Sequence, residues 1–292
     1  MSDFVILTDS SADLGVDLVE QYDIKVLPLS FTMGDKTYQN HPDNRDMDPK
    51  VFYQRLRDGE MATTSAVNVA QYVEAVEPLL QAGKDVLILA FSSGLSATYN
   101  SSAIAVEELR EKYPDRKLYT VDTLCASLGQ GMLVWMAAKE RESGKSIEEV
   151  RDWVISHKLN VCHQVTVDNL QHLKRGGRIS STTAIVGSML QIKPIIHIDN
   201  EGHLINSGKA RGRQSALKAL VDRMEQSAIE PKEQTVFISH GDCLEDAQQL
   251  AQMVKDRFGT QNFYINHVGP VIGAHTGPGV VVVFYMGVDR GV

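Results

Sequence analysis

The sequence is short of cysteine, of positive charge and of long apolar runs, and each shortage removes a class of protein. Its three cysteines, Cys125, Cys162 and Cys243, lie far apart and are odd in number. No CxxC spacing occurs, so neither a zinc ribbon nor a disulfide framework is indicated. Each sits beside apolar residues, as a buried free thiol does. Lys and Arg number 29 against 37 Asp and Glu, a formal charge of −8 at pH 7. Binding to nucleic acid needs a basic face that displaces counterions from phosphate, and no basic run exceeds a few residues. An anionic membrane surface is disfavoured for the same reason. The longest apolar stretch, Val280 to Met286, has a strand's length and falls far short of a membrane span. Met1 to Thr8 carries Asp3 and only a short apolar run, unlike a secretory leader. The expectation is a cytoplasmic protein with no nucleic acid partner and no stable membrane insertion.

What remains is a globular composition, with 43% hydrophobic and 23% charged residues. At 292 residues the chain is long enough to bury a sizeable core without disulfides or metals. Short apolar runs alternate with helical patterns almost from the first residue. Strands are expected at Phe4 to Leu7, Val26 to Thr32, Val86 to Phe91 and Leu118 to Val121. Between them lie helical patterns with readable ends. Asp48-Pro49 caps and opens one that Gly59 closes, and Ser146 with Glu149 makes a capping box for another. This alternation implies βαβ units and a mostly parallel sheet.

From Val161 the rhythm loosens. Val165 to Val167, Pro194 to Ile198, Val236 to Ser239, Phe263 to His267 and Val280 to Phe284 read as strands, and 185–190 as helix. Asn200-Glu201-Gly202 is a turn signal, with Leu204-Ile205 answering across it as a hairpin. A hairpin within α/β alternation suggests a second, mixed-sheet domain. The fold class expected is α/β in two lobes, residues 1–160 with a parallel sheet and 161–292 with a mixed one.

Four segments carry small, hydroxyl or glycine residues at strand ends, where open α/β sheets bind ligands. Thr8-Asp9-Ser10-Ser11-Ala12-Asp13 is either an anion or hydroxyl site or a cap for the next helix. Thr63-Thr64-Ser65 stands ahead of a helix starting near Val69, as caps or as donors to an anion. In Ser92-Ser93-Gly94-Leu95-Ser96-Ala97-Thr98, several hydroxyls and a glycine converge on a helix start. Gly273-Ala274-His275-Thr276-Gly277-Pro278-Gly279 is a glycine-dense loop holding a histidine, which is either structural or a ligand contact. His240 and His267 share no metal-ligand spacing with His275 or with a carboxylate, so no metal is expected. Nothing matches GxxxxGK[ST] or GxGxxG. Two basic clusters remain. Lys174-Arg175-Gly176-Gly177-Arg178 suits a helix C-terminus, whereas Lys209-Ala210-Arg211-Gly212-Arg213 precedes a helix, where cations are disfavoured and a docking surface is one reading. A serine esterase or acyl transferase using Ser93 or Ser96 with His275 is an enzyme alternative, although the GxSxG elbow is missing. A sensor for a small phosphorylated metabolite is a third.

Read together, these segments resemble the DegV family, in order along nearly the whole chain. The resemblance runs from Phe4-to-Asp13 through Thr64-Ser65, Ser92-to-Tyr99, Val121-Asp122 and Gly129-Gln130-Gly131. It continues through Leu170-to-Ile179 and Lys193-Pro194-Ile195 to Gly269-to-Gly279. It implies two α/β lobes with a long-chain fatty acid clasped between them, its acyl chain buried. It further implies no catalysis by this chain alone, and no cofactor beyond the bound fatty acid. The role implied is the binding subunit of a bacterial fatty acid kinase, presenting the carboxylate to a separate catalytic subunit that makes an acyl phosphate with ATP. The positions matching the carboxylate-holding hydroxyls and imidazole are Thr64, Ser65, Ser93, Ser96 and His275, with Arg178 close by. Arg211 and Arg213 stand where the family docks its kinase. Ala97 and Thr123 replace the family's more usual Gly and Ser, and Asn40 to Asp46 is more polar than the family leads one to expect there.

Overall fold

A computed structural model describes residues 4–179 and 191–291. The helix expected over 185–190 lies outside them. Among the described residues, three sheets organise the fold. The first is parallel, in the order β2-β1-β6-β7, from β1 (Phe4–Asp9), β2 (Ile24–Leu27), β6 (Asp85–Ala90) and β7 (Leu118–Asp122). In β6 every residue after Asp85 is buried, as a strand covered on both faces requires. Helices α3 (Val69–Gln81), α4 (Thr98–Lys112), α5 (Leu128–Glu142) and α6 (Ile147–His157) accompany it. The capping box at Ser146 and Glu149 forms as the sequence indicates.

The single strand expected over Val26 to Thr32 is two strands in different sheets. Pro28 has no N–H to give a ladder, so β2 stops at Leu27. The chain then builds a small antiparallel sheet, β4-β3-β5, from β3 (Ser30–Met33), β4 (Lys36–Gln39) and β5 (Ala62–Ser65). Thr63, Thr64 and Ser65 are therefore strand residues and not helix caps. β-Branched threonines suit that role. The cap of α3 is Asn68, whose side chain accepts from Gln71 N while the Gln71 side chain accepts from Asn68 N, both at 2.9 Å.

The third sheet has six strands in the order β10-β9-β8-β13-β11-β12. These are β8 (Val161–Thr166), β9 (Ile192–Ile198), β10 (Leu204–Arg211), β11 (Thr235–His240), β12 (Asn262–His267) and β13 (Val281–Met286). All neighbours pair antiparallel except β11 with β12, so the sheet is mixed. The α/β class with one parallel and one mixed sheet is thus the observed one. Helix α5 lies between the two large sheets, touching β1 and β6 on one side and β8, β11 and β13 on the other. A continuous core follows it, from Ile6, Leu87 and Leu89 through Leu128 and Leu133 to Val165, Ile196 and Phe284. Among the described residues no helix is long and apolar enough to cross a membrane.

The chain's far end is locked into this junction. Arg290 is 1% exposed, and its guanidinium donates to the carbonyls of Val161 (2.9 Å), Leu124 (3.0 Å) and Asp199 (3.4 Å) and to Cys125 Sγ (3.2 Å). Both Leu124 and Ser127 in the loop it holds have left-handed backbones, with φ of 52° and 51°. Removing the guanidinium takes a donor from the carbonyls of Val161, Leu124 and Asp199 at once. Arg290→Met should therefore lower the free energy of unfolding by about 2–4 kcal/mol, read from equilibrium urea denaturation.

Candidate functional site

A cavity of about 200 Å³ opens between the two large sheets. Its wall is largely apolar: Phe91 and Leu95 follow β6, Val165 and Ile196 come from β8 and β9, and Val282 and Phe284 from β13. Polar side chains interrupt it: Thr64, Ser96, Arg178, His275 and Thr276, with Ser127 and His163.

His275 sits in α10 (Pro270–Thr276), a short helix and not the loop the glycines suggested. Pro270 occupies its first turn, where a missing N–H costs nothing, and Gly277 ends it at φ 76°. The helix packs on β3, β5 and α7 (Gln171–Arg175). It thereby carries His275 to Thr64, with Nε2 and Oγ1 2.8 Å apart. The other ring nitrogen, Nδ1, is buried without a hydrogen-bond partner among the described residues. Gly176 lies flush against it, since a Cβ there would come within 2.2 Å of Nδ1. Burial, reinforced by Arg178 and Arg175, pulls the imidazole down to about 4. The ring is therefore neutral at physiological pH, with one donor and one acceptor.

Arg178 lines the same end but is held by main chain, donating through Nε to Leu95 O at 3.1 Å and through Nη1 to Gly176 O. Ser96 also lines it, and its Oγ contacts Thr98 Oγ1 at 2.9 Å and accepts from Thr98 N at 3.2 Å. Ser65 and Ser93 are exposed and not part of the wall. Ser93 instead gives its backbone N–H to Asp122 at 3.1 Å. Thus Thr64, Ser96, His275 and Arg178 come together in the cavity, while Ser65 and Ser93 stand outside it.

Two wall residues had no signal in the sequence. His163 lies within a buried strand, its Nδ1 bonded to Val161 O at 3.0 Å and its Nε2 accepting from Ala126 N at 3.4 Å. Ser127 precedes α5 and donates to Asp13 at 2.6 Å. Only their spatial neighbours mark them.

The chain matches, over residues 3–287, the family described as uncharacterised protein, DegV family. The chain belongs to the DegV family. It is 48% identical to a DegV domain-containing protein of Clostridium perfringens over 287 residues, covering 98% of each chain. Among solved structures, it is similar to a Thermotoga maritima protein described as revealing fatty acid binding function. That likeness has 28% identity and a TM-score of 0.85, and covers 98% of this chain and 100% of that one. It also shares its fold with the Streptococcus pneumoniae fatty acid kinase B3 protein loaded with linoleic acid, at 18% identity and a TM-score of 0.84, covering 98% and 99%.

Other marked segments of this DegV-family chain lie elsewhere. Asn40, His41, Pro42 and Asn44, from the unusually polar stretch, line a separate small polar crevice with Asp13, Asn266 and His267. They do not border the apolar cavity. Arg211 ends β10 and is exposed. Arg213 opens α8 (Arg213–Ser227), bonded to Asp246 at 2.9 Å. His240 and His267, at the ends of paired strands, bring their ring centroids to 4.5 Å.

The depressed His275 sets a direction for pH dependence. Its folded value lies below the unfolded one, so the unfolded chain takes up the proton first as pH falls. The stability it contributes is complete above about 6.5 and is lost as pH drops toward about 4. Wild type should lose stability relative to His275→Gln across that window, measured by urea unfolding at a series of pH values.

Proposed function

We propose that this chain binds a long-chain fatty acid by its carboxylate, in the cytoplasm, and presents it to a separate kinase subunit for ATP-dependent conversion to an acyl phosphate. The observation that carries the reading is the Thr64–His275 pair, a neutral hydroxyl and a neutral imidazole 2.8 Å apart in the wall of a largely apolar cavity. A buried carboxylate is costly unless several donors meet it, and hydroxyl, imidazole and a nearby guanidinium supply them. Ser96 and Arg178 complete the set. The tail gains about 0.8 kcal/mol per buried CH₂, so it dominates affinity while the head sets orientation. The Thermotoga relative's fatty acid binding supports the ligand class. Kinase partnership draws on the family resemblance and on the fold relative in Streptococcus pneumoniae, a fatty acid kinase B3 protein.

The esterase alternative has less support. Ser96 Oγ is engaged with Thr98, Ser93 is exposed, and His275 Nε2 faces Thr64. A Ser–His mechanism also needs a third group orienting the imidazole. Here Nδ1 has no hydrogen-bond partner among the described residues.

Mass spectrometry of an organic extract of freshly purified protein should show long-chain fatty acid; a lipid-free extract, with no uptake of added fatty acid, overturns the reading. His275→Ala should weaken fatty acid binding by about 10- to 100-fold through loss of a hydrogen bond to a charged group. In reactions with the kinase subunit, Arg211→Glu should spare lipid binding and reduce acyl phosphate formation. Equal loss of both would remove the docking role from Arg211. Arg213, paired with Asp246, is the less available of the two cations.

A further inference from the structure

The segment Thr8–Asp13 has no place in the cavity, and the anion-site reading of it fails. Thr8, Asp9, Ser10, Ser11 and Asp13 are all buried. Their polar atoms turn inward to one another and to neighbouring elements, and the two aspartates are acceptors. Asp9 caps a short 3-10 turn through Ser11 N at 3.1 Å and takes Phe91 N at 2.8 Å and Gln130 Nε2 at 3.2 Å. That set closes on the parallel sheet and its helix.

Asp13 is different, because both partners of its carboxylate adjoin the cavity. One carboxylate oxygen accepts Gly269 N at 3.0 Å, the residue immediately before α10. The other accepts Ser127 Oγ, on the cavity wall, at 2.6 Å. The main-chain carbonyl of Asp13 takes Asn266 Nδ2 at 2.8 Å, from the end of β12. Asp13 itself has a left-handed backbone, with φ 51°. One residue thus grips the chain just before α10 from two sides, and His275 lies six residues further on. A helix of seven residues has little stability of its own, so its position depends on what holds its ends.

We propose that Asp13 is a positioning residue for the head-group pair: its carboxylate seats the start of α10 against the Ser127 wall and so sets where His275 meets Thr64. This rests on the fatty acid reading above. A second anchor, the Tyr53 hydroxyl donating to Val268 O at 2.8 Å, holds the same segment, so loss of Asp13 shifts α10 without freeing it. Burial, opposed by the Ser127 and Gly269 hydrogen bonds and aided by Asp9, raises the Asp13 carboxyl to about 7. A group so ill-suited to its surroundings is a poor choice for packing alone.

The test is the preference for hexadecanoic acid over hexadecanol, measured as a ratio of dissociation constants. Asp13→Ala should reduce that preference by about 10-fold, the size expected when one hydrogen bond to a charged head is misplaced. Asp13→Asn keeps an acceptor for Gly269 N–H and should retain most of it. Gly269→Ala should reproduce the loss without altering Asp13, because its Cβ would meet the Asp13 carboxylate at 2.6 Å. Should Asp13→Ala not fold, Gly269→Ala decides. An unchanged ratio, or equal weakening of acid and alcohol, overturns the positioning role. A wild-type protein that does not prefer the acid overturns the fatty acid reading first, and this proposal with it.

Discussion

The contact between Thr64 and His275 joins positions 211 residues apart, and much of the architecture is arranged around making it. Neither residue belongs to the two large sheets. Thr64 is brought by a small antiparallel sheet that exists because Pro28 turns the chain away from β2. His275 is brought by a short helix wedged between that sheet and α7. Close approach at Gly176 backs the imidazole from behind, and burial keeps it neutral. A neutral pair in a largely apolar cavity can meet an anion without presenting a competing fixed charge of its own. This electrostatic condition gives an apolar cavity one distinguishable end.

The placement of the cavity follows from how the parallel sheet is finished. In the order β2-β1-β6-β7 the connections diverge between β1 and β6, and the crevice beyond those strand ends is where such sheets ordinarily take ligands. Here the protein fills it itself. Asp9 reaches across from β1 to Phe91 N, while Gln130 from α5 bonds Thr8 at 3.0 Å and Asp9 at 3.2 Å. With that crevice closed, the open space lies farther out, between the sheets, where Phe91 and Leu95 from one face Val165 and Ile196 from the other. Helix α5, buried on nearly every side at its start, holds the two sheets at that separation.

The parallel sheet was legible because its signals are local: apolar runs such as 86–90 and caps such as Asp48-Pro49 and Ser146 with Glu149. The mixed sheet showed through the Asn200 to Gly202 turn. Strand β4 has no readable signal and β5 reads as a helix start, because four-residue edge strands carry too little periodicity to register. The helical state of His275 was hidden by its glycines, which serve close packing against Tyr53 at Gly273 and termination at Gly277. From the residues alone Thr64 and His275 are legible singly, as hydroxyl and imidazole at strand ends; the family resemblance puts them in one head-group site, and their direct contact is a tertiary fact. Ser127 and His163 had no local mark at all, since a lone polar residue in an apolar run is usually a satisfied core group. In this structure both are satisfied, by Asp13 and by main chain.

The treatment of Arg178 separates holding a ligand from guiding it. A guanidinium free to grip a carboxylate with both arms gives strong and directional binding. Here Nε and Nη1 are already committed to Leu95 O and Gly176 O. Those bonds fix the positive charge beside the head-group pair while limiting how far it can fold around an anion. On the fatty acid reading proposed above, the hydroxyl and imidazole set the angle of the head and the apolar wall supplies most of the affinity. A carrier built this way keeps its lipid through the tail and leaves the carboxylate comparatively lightly held. On the reading proposed here, that division is what transfer to a second protein requires, because the atom to be phosphorylated has to be the part of the ligand that the carrier grips least.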